Sequence, residues 1–551
     1  GGFVFSSNRQ GLTKTVQGNQ TFYALDEYER ERVLQLHTMD KDGGAITQIS
    51  VNASHDRNPV VRSNGEIMFS RWEHAGIRNR FAIFRVKPDG TDMFVLYGSQ
   101  SPGNSFLHPR EMDPAGKYKG FVSSDLMALS RTQEGGSLMF IDAANYSEYN
   151  TPANKTVAAV GGQAEVTAKA LNQNRGLSTY GRITTPYPLW DGTDRVLLAY
   201  RPCEVTRNGT VIPCANLTAA ERASLEDETM SRAERAAAPV QDNAPAAYSI
   251  YMFDPAKQTF LPVATPPAGF MYVDPVAIDK RAEPNATAPT SVDATLAAQG
   301  LGEIEVRSVY DTDGLERNGE TMLAASDLPA GCSAGIAKTA PLSAADTRAQ
   351  VADLRRLKDP ADAAYGCSPM RFIRATRVVA PQAGSTAMRE AIGETDFEPQ
   401  QILGYAPIEP DGSFQIYVPA DTPLAVAVVD SSGRAFQTHT NWIQVRPGET
   451  RTCDGCHSPR RGAALNSSVI KDTVPAALTT TYTRNAGETM AQTRTNNVAS
   501  LLIPALDMTY TDVWADTTKT AGKKRADISL KYTGNTLPDG TLDPTNDLAT
   551  P

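Results

Sequence analysis

Cys453, Cys456 and His457 stand together in "TCDGCHSPRRG" (452–462), the one place in the chain where two cysteines are separated by two residues and followed at once by histidine. This C-x-x-C-H spacing is the attachment signature of c-type haem. Two intervening residues let both sulfurs reach one edge of a porphyrin, where the thiols add across its vinyl groups. The next residue then places an imidazole beside the iron. A zinc knuckle would want a second Cys/His pair at similar spacing, and the sequence has none; a thioredoxin-like redox pair would want an α/β setting. The motif therefore predicts covalent haem c, held by Cys453 and Cys456 with His457 on the iron. Haem attachment of this kind takes place outside the bacterial cytoplasm, so a periplasmic or extracellular location is expected.

His439, in "FQTHTNWIQVRPGETRTCDGC", lies on the strand feeding the motif. From there it folds back to give a second axial ligand, or it is a strand-end histidine bonded to backbone. The other histidines are His37, His55, His74 and His108. His55 in "SHDRNPVV" and His108 in "LHPREMDPAGKY" read as matching loop positions of a repeat and hence as structural. In "SRWEH", Glu73 and His74 either project into a channel or form a packing and salt-bridge cluster at a strand end. "DTDGLERNGE" (311–320) resembles a calcium loop loosely, without a clear closing carboxylate register. Calcium and zinc are thus the lesser cofactor alternatives.

Fifty-three basic against 62 acidic residues give a formal net charge of −9, and no long Lys/Arg run occurs, which argues against nucleic acid and anionic membranes as partners. No apolar run reaches the length of about 18 residues that spans a bilayer. The sequence opens inside what reads as a strand, so residues upstream are expected. Outside the motif, Cys203, Cys214, Cys332 and Cys367 leave two readings open: buried free thiols, or disulfides, with Cys203–Cys214 and Cys332–Cys367 the nearest pairings in sequence.

The elements that must position the motif are mostly β. "GEIMFSRWEH" (65–74), "RFAIFRVKPDGTDMFVLYGS" (80–99), "GSLMFIDAAN" (136–145), "RVLLAYRPC" (195–203) and "YSIYMFDPAKQTFLPVA" (248–264) are β-branched and aromatic runs, several of them turning on Asp-Gly or Asp-Pro. A strand-turn-strand unit of roughly 40 residues recurs, which predicts an N-terminal β-propeller over residues 1–280, six or seven blades of the WD40 or TolB kind. A helical insertion is expected at about 215–247, where "NLTAAE" offers an N-cap. Residues 281–300 read as a linker. Residues 301–462 read as a small β-sandwich-like domain carrying the haem c site, through "QILGYAPIEPDGSFQIYVPADTPLAVAVVDSSGRAFQ". Residues 463–551 read as an extended tail or the lead into a further domain.

Several of these stretches resemble the hydrazine synthase alpha-subunit family: "GEIMFSRWEH", "VKPDGT", "TTPYPLWDGTDRVLLAYRP", "EVRSVYDTDG" and above all "ILGYAPIEPDGSFQIYVPADTPLAVAVVDSSGRAFQTHTNWIQVRPGETRTCDGCHSPR". The resemblance implies a periplasmic protein that joins a propeller-like domain to a haem-bearing middle domain, with haem on Cys453 and Cys456. In some alpha subunits the motif histidine turns to a zinc, and a tyrosine four residues later holds the iron. Arg461 stands at that place here, which implies ordinary ligation by His457. His439 falls where relatives often have Met, and the paired histidines of many relatives are missing from "GFVSSDLMALSRTQEGGSLMF". Relatives commonly continue into a further C-x-x-C-H module, so the resemblance implies a longer multihaem protein. The functional expectation is an electron-transfer cytochrome whose partners are other redox proteins or cytochrome subunits in a multi-subunit assembly. The alternatives are a haem-dependent oxidoreductase acting on a small nitrogen compound, and a propeller scaffold subunit.

Overall fold

The computed structural model describes residues 1–309 outside short stretches at 18, 27–29, 76–77, 129–134, 153–156, 159, 175, 228 and 243–246. Beyond these it describes 337–338, 351–352, 370, 372–380, 391–392, 400–409, 412–429, 433, 435–438, 442–455, 489, 491–492 and 495. The chain is mostly β, as its alternating apolar runs require.

The N-terminal part is built from antiparallel units laid side by side. The second unit comprises Asp56–Val61, Ile67–Ala75, Arg78–Val86 and Phe94–Tyr97, each strand pairing with the next. The third comprises Ser105–Glu111, Val122–Met127, Ser137–Ile141 and Gln163–Glu165, and the fourth Arg182–Pro188, Val196–Arg201, Ser249–Asp254 and Thr259–Ala264. The first has three strands among the described residues, Gly2–Ser7, Gln35–Asp40 and Thr47–Gln48. Apolar faces are buried between units rather than within them. Leu36 and Ile49 meet Ile67, Phe69 and Phe84 across the first seam, Met68 and Ile83 meet Phe106 and Leu126 across the second, and Leu138 and Phe140 meet Ile183 and Leu198 across the third. One such sheet cannot cover its own faces, so its neighbours must, which is the propeller arrangement. The expected six or seven blades number four among the described residues of this span. Insertions consume the chain that the repeat length assigns to further blades: a hairpin of Glu204–Arg207 and Thr210–Pro213 with two helices enters the fourth unit.

That insertion follows the local signals closely. Thr218 caps Ala219–Glu226 in a reciprocal capping box with Glu221, and Ser231 does the same for Arg232–Ala237 with Glu234. Cys203 and Cys214 form a disulfide that closes its base, with Cα atoms 5.4 Å apart. Cys332 and Cys367 lie outside the described residues, as does the 311–320 segment.

The innermost strands of the second, third and fourth units share one irregularity. Asn58, His108 and Thr185 have φ of +55°, +47° and +50°, each precedes a proline, and each sits where the register slips against the next strand. Proline has no N–H for the ladder, so the bulge falls where a bond cannot form anyway. Structurally, then, His108 corresponds to Asn58. The expected match of His108 to His55 fails because proline, not histidine, sets the register. Asp274-Pro275, with Asp274 at φ +53°, repeats the signature a fourth time. No ladder pairs this last segment among the described residues, and Phe270, Val276 and Ile278 are exposed (68%, 67% and 105%).

Residues 281–300, read as a linker, are strapped onto the propeller-like part. Asn285 N–H donates to the Ser63 carbonyl, and Lys87 Nζ and Thr91 Oγ1 both reach Thr290 Oγ1. A short helix, Ala294–Ala298, capped by Asp293, then leads into the second domain. There Phe414–Pro419, Leu301–Ser308 and Thr450–Gly455 form one sheet; Gln400–Pro407, Phe372–Val378, Leu424–Val429 and Ala435–Thr438 form the other. Ile304, Val306, Phe414 and Ile416 from the first face Ile373, Leu424 and Val428 from the second, the sandwich its alternation predicts.

The two parts are joined by a buried charge. Arg71 is 1% exposed; its Nη1 pairs with Asp56 Oδ2 at 3.2 Å, and its Nη2 donates to the carbonyls of Val51 at 3.0 Å and Trp442 at 3.1 Å. Burial pushes the Asp56 carboxyl up and the Arg71 guanidinium down, and each charge offsets the other's shift. Removing one partner strands the other in the interior, whereas replacing both by apolar groups does not. Arg71→Met is therefore expected to lower unfolding stability by about 3 to 5 kcal/mol, and adding Asp56→Leu to recover most of it; urea denaturation of the two variants checks the order.

Candidate functional site

The residue of the C-x-x-C-H motif that the structure describes is Cys453, on the Thr450–Gly455 strand. Cys456, His457 and His439 lie outside the described residues, as does Arg461. The Thr450–Gly455 strand runs parallel to Leu301–Ser308 at the edge of its sheet, placing Cys453 opposite Val306 and Gly455 opposite Ser308. Cys453 is half-buried and packs on the cluster containing Val306, Met370, Ile408 and Phe414. The motif thus starts on a rigid strand, against an apolar wall, and runs off its end.

Alternation along the paired strands puts polar residues on the other face. Thr450 Oγ1 donates to Glu303 Oε2 at 3.1 Å, and Glu305 accepts from the amides of Gln415 at 3.3 Å and Gln492 at 2.6 Å. Burial pushes both carboxyls up. They lie three and one register positions from Cys453, but hydrogen bonds already engage them, which marks them as structural.

What fixes this strand in space is the segment ahead of it. Gln444 is 1% exposed and its amide is fully used: Nε2 donates to the carbonyls of Ile49 and Gly90, both at 2.8 Å, and Oε1 accepts from Val51 N–H at 2.7 Å. Glu449 accepts from Asp92 N–H and from Arg446 N–H, each at 2.7 Å. The Arg451 guanidinium lies 4.1 Å from the centre of the Phe94 ring and donates to the Gln444 carbonyl. Gly90, the glycine of the "KPDGT" turn, has φ of +85°, and a Cβ there would lie 2.7 Å from the Ile49 carbonyl oxygen. Only glycine suits both the turn and the approach. Residues 442–451 are thereby pinned to the loops of the first two propeller-like units, and Cys453 follows two residues later. Nothing in "NWIQVRPGET" alone signals this, since its partners lie far away in sequence.

The propeller histidines have structural partners. His37 is buried in its strand and stacks on Phe5 at 5.6 Å. Trp72 lies between His55 and His74, with ring centroids 5.8 and 5.3 Å away. Glu73 accepts from Ser99 Oγ at 2.8 Å. The "SRWEH" residues are buried packing, one of the two readings their sequence allowed. His55 Nδ1 accepts from Leu34 N–H at 2.9 Å, so its Nε2 carries the proton and donates to Asp26 Oδ2 at 3.1 Å. His108 bonds Asp125 and lines a cleft taken up below.

Residues 369–458 match the family model described as hydrazine synthase alpha subunit middle domain. Among curated proteins, hydrazine synthase subunit alpha of Kuenenia stuttgartiensis is 36% identical over 74 residues, 13% of this chain and 9% of that protein. Among solved structures, Kuenenia stuttgartiensis hydrazine synthase superposes with a TM-score of 0.47 at 17% identity, covering 84% of this chain and 53% of that one. Puromycin hydrolase gives 0.16 at 13% identity, covering 31% and 22%. This is a β-rich chain whose residues 369–458 are similar to the middle domain of hydrazine synthase alpha subunits. It spans about half the length of the hydrazine synthase chain it superposes on.

Two outcomes follow from this geometry. Gln444→Ala leaves two carbonyls and an N–H unpaired in the seam, at a cost of about 1 to 3 kcal/mol; hydrogen exchange should then speed up in 450–455 more than in the Phe372–Val378 strand. For His55, burial first, with Arg57 adding to it and Asp26 opposing, lowers the imidazole from 6.5 to about 4. A depressed folded value means the neutral ring stabilises the fold: the contribution is full above pH 6.5 and is lost as pH falls through 4. That is about 3 kcal/mol, and the slope of stability against pH in this window should flatten in His55→Gln.

Proposed function

We propose that this chain is a periplasmic c-type cytochrome of the hydrazine synthase alpha-like family, carrying one covalent haem c at Cys453 and Cys456 with His457 on the iron and transferring electrons within a larger assembly. The observation that carries this reading is the start of the C-x-x-C-H donor set on a strand clamped by the propeller-like part. The donor types fit the group: two thiols at the required spacing, an imidazole next to the second, and the first thiol half-buried beside apolar side chains. A haem bound there would supply a one-electron iron couple. The chain's own residues hold position. Gln444, Glu449 and Arg451 hold the strand, the apolar cluster on which Cys453 packs covers one side of it, and His439 is the candidate for the second axial place. Arg461, where a ligating tyrosine would stand in some relatives, favours electron transfer over chemistry at an open iron. A partner assembly is inferred from the curated relative, which is named as a subunit.

The test is intact-mass and visible spectroscopy of native material. The expected result is one added haem, lost in Cys453→Ser/Cys456→Ser with the β-sheet circular dichroism kept, and low-spin bands unchanged by carbon monoxide. His439→Ala should convert the spectrum to a form that binds the gas. An unmodified peptide overturns the proposal. A wild-type iron that binds carbon monoxide replaces electron transfer with catalysis on a small molecule.

A further inference from the structure

The left-handed residue–proline bulges of two consecutive inner strands and the left-handed Asp274–Pro275 step of the segment beyond them meet in one cleft of about 220 Å³, part of it open to solvent. His108, Thr185 and Asp274 line it together with Arg110, Tyr187 and Val276. Left-handed φ is costly for such residues, most of all for the β-branched Thr185, and strain of this kind persists where the surroundings impose it and collects at binding sites. The bulges also re-aim side chains, which bring chemistry to one place that a regular strand would spread over two faces.

His108 Nδ1 lies 3.0 and 3.1 Å from the two carboxylate oxygens of Asp125, which is fully buried and also accepts from Thr184 Oγ1 at 2.9 Å. The Nδ1 atom therefore donates, and Nε2 has no hydrogen-bond partner among the described residues. Burial alone would lower the imidazole, but Asp125, with help from Asp274, outweighs burial and the opposing Arg110, and the net shift is upward. Arg110 is half-buried, donates to the Pro109 carbonyl at 3.1 Å, and has no carboxylate within 4 Å among the described residues. Asp274 is exposed at the mouth, with its N–H bonded to Thr185 Oγ1 at 3.0 Å. Arg281 closes one side, 4.6 Å from the Tyr187 ring and 4.5 Å from that of Trp190. No group of three metal-ligating side chains occurs among the described residues, which speaks against a cation.

We propose that this cleft is a binding site for a small oxyanion of the carboxylate class, held by the guanidinium of Arg110 and, in the imidazolium form, by His108 Nε2–H, with Asp274 at the mouth weakening the affinity. The planar fork of arginine matches a carboxylate's two oxygens, and the cleft is small. The proposal is independent of the haem.

Acetate titrated into the full chain at fixed ionic strength, followed by calorimetry and by Trp190 fluorescence, is expected to show saturable binding in the range of about 1 mM. Arg110→Gln should weaken it at least tenfold, His108→Gln should weaken it severalfold, and Asp274→Asn, a change at an exposed position that leaves folding intact, should tighten it severalfold. Sulfate at the same ionic strength should bind more weakly. Absence of saturation, acetate binding unchanged in a folded Arg110→Gln, or weakening in Asp274→Asn would each overturn the site. So would saturable calcium binding that Asp274→Asn abolishes, which would make the cluster a cation site.

Discussion

A fully buried guanidinium must find its partners wherever the chain supplies them, and Arg71 finds them in both halves of the molecule. Asp56 balances its charge from the neighbouring strand, while the carbonyls of Val51 and Trp442 take its remaining donors. Because a stranded charge in the interior costs several kcal/mol, this interaction sets the distance between the propeller-like part and the backbone entering the C-x-x-C-H sequence. Gln444 extends the same constraint one turn of backbone further with neutral hydrogen bonds, and Arg451 ends it on the face of Phe94. The strand bearing Cys453 inherits its position from these contacts. Its own sheet gives it a single neighbouring strand among the described residues.

The propeller-like part contributes in a second way. Its inner strands are interrupted at one register by a left-handed residue and a proline, so what would be a smooth row of alternating side chains becomes a set of inward steps. The outer strands have no such interruption and serve burial: Phe69, Phe140 and Phe253 are almost fully enclosed.

Much of this was legible in the residues. Period-two alternation identified the strands, Asp-Gly and Asp-Pro pairs their turns, "NLTAAE" a capped helix, and the close spacing of Cys203 and Cys214 one of the two pairings left open. All of these are local, depending on a few consecutive side chains and their backbone preferences. The donor set at 453–457 was legible for the same reason. The seam was not. Gln444 in "WIQVRP" reads as an ordinary strand position, and its burial depends on loops near residues 50 and 90. The repeat was misaligned on histidines, His55 against His108, when the physically restrictive residue is proline. Pairing Pro59 with Pro109, Pro186 and Pro275 would have exposed the inner-strand signature, with the left-handed residue just ahead of each. Blade number suffered because insertions change the period without changing the unit.

The stretch from Phe270 to Ile278 bears on how the molecule behaves when handled alone. It has the inner-strand signature without a ladder partner among the described residues, and its apolar side chains face water. Backbone groups beside bare hydrophobic side chains are a template for any extended polypeptide of compatible spacing. Concentrated solutions of the isolated chain should therefore self-associate through this rim, and a lysine placed at Val276 or Ile278 would be the simplest way to keep such material dispersed.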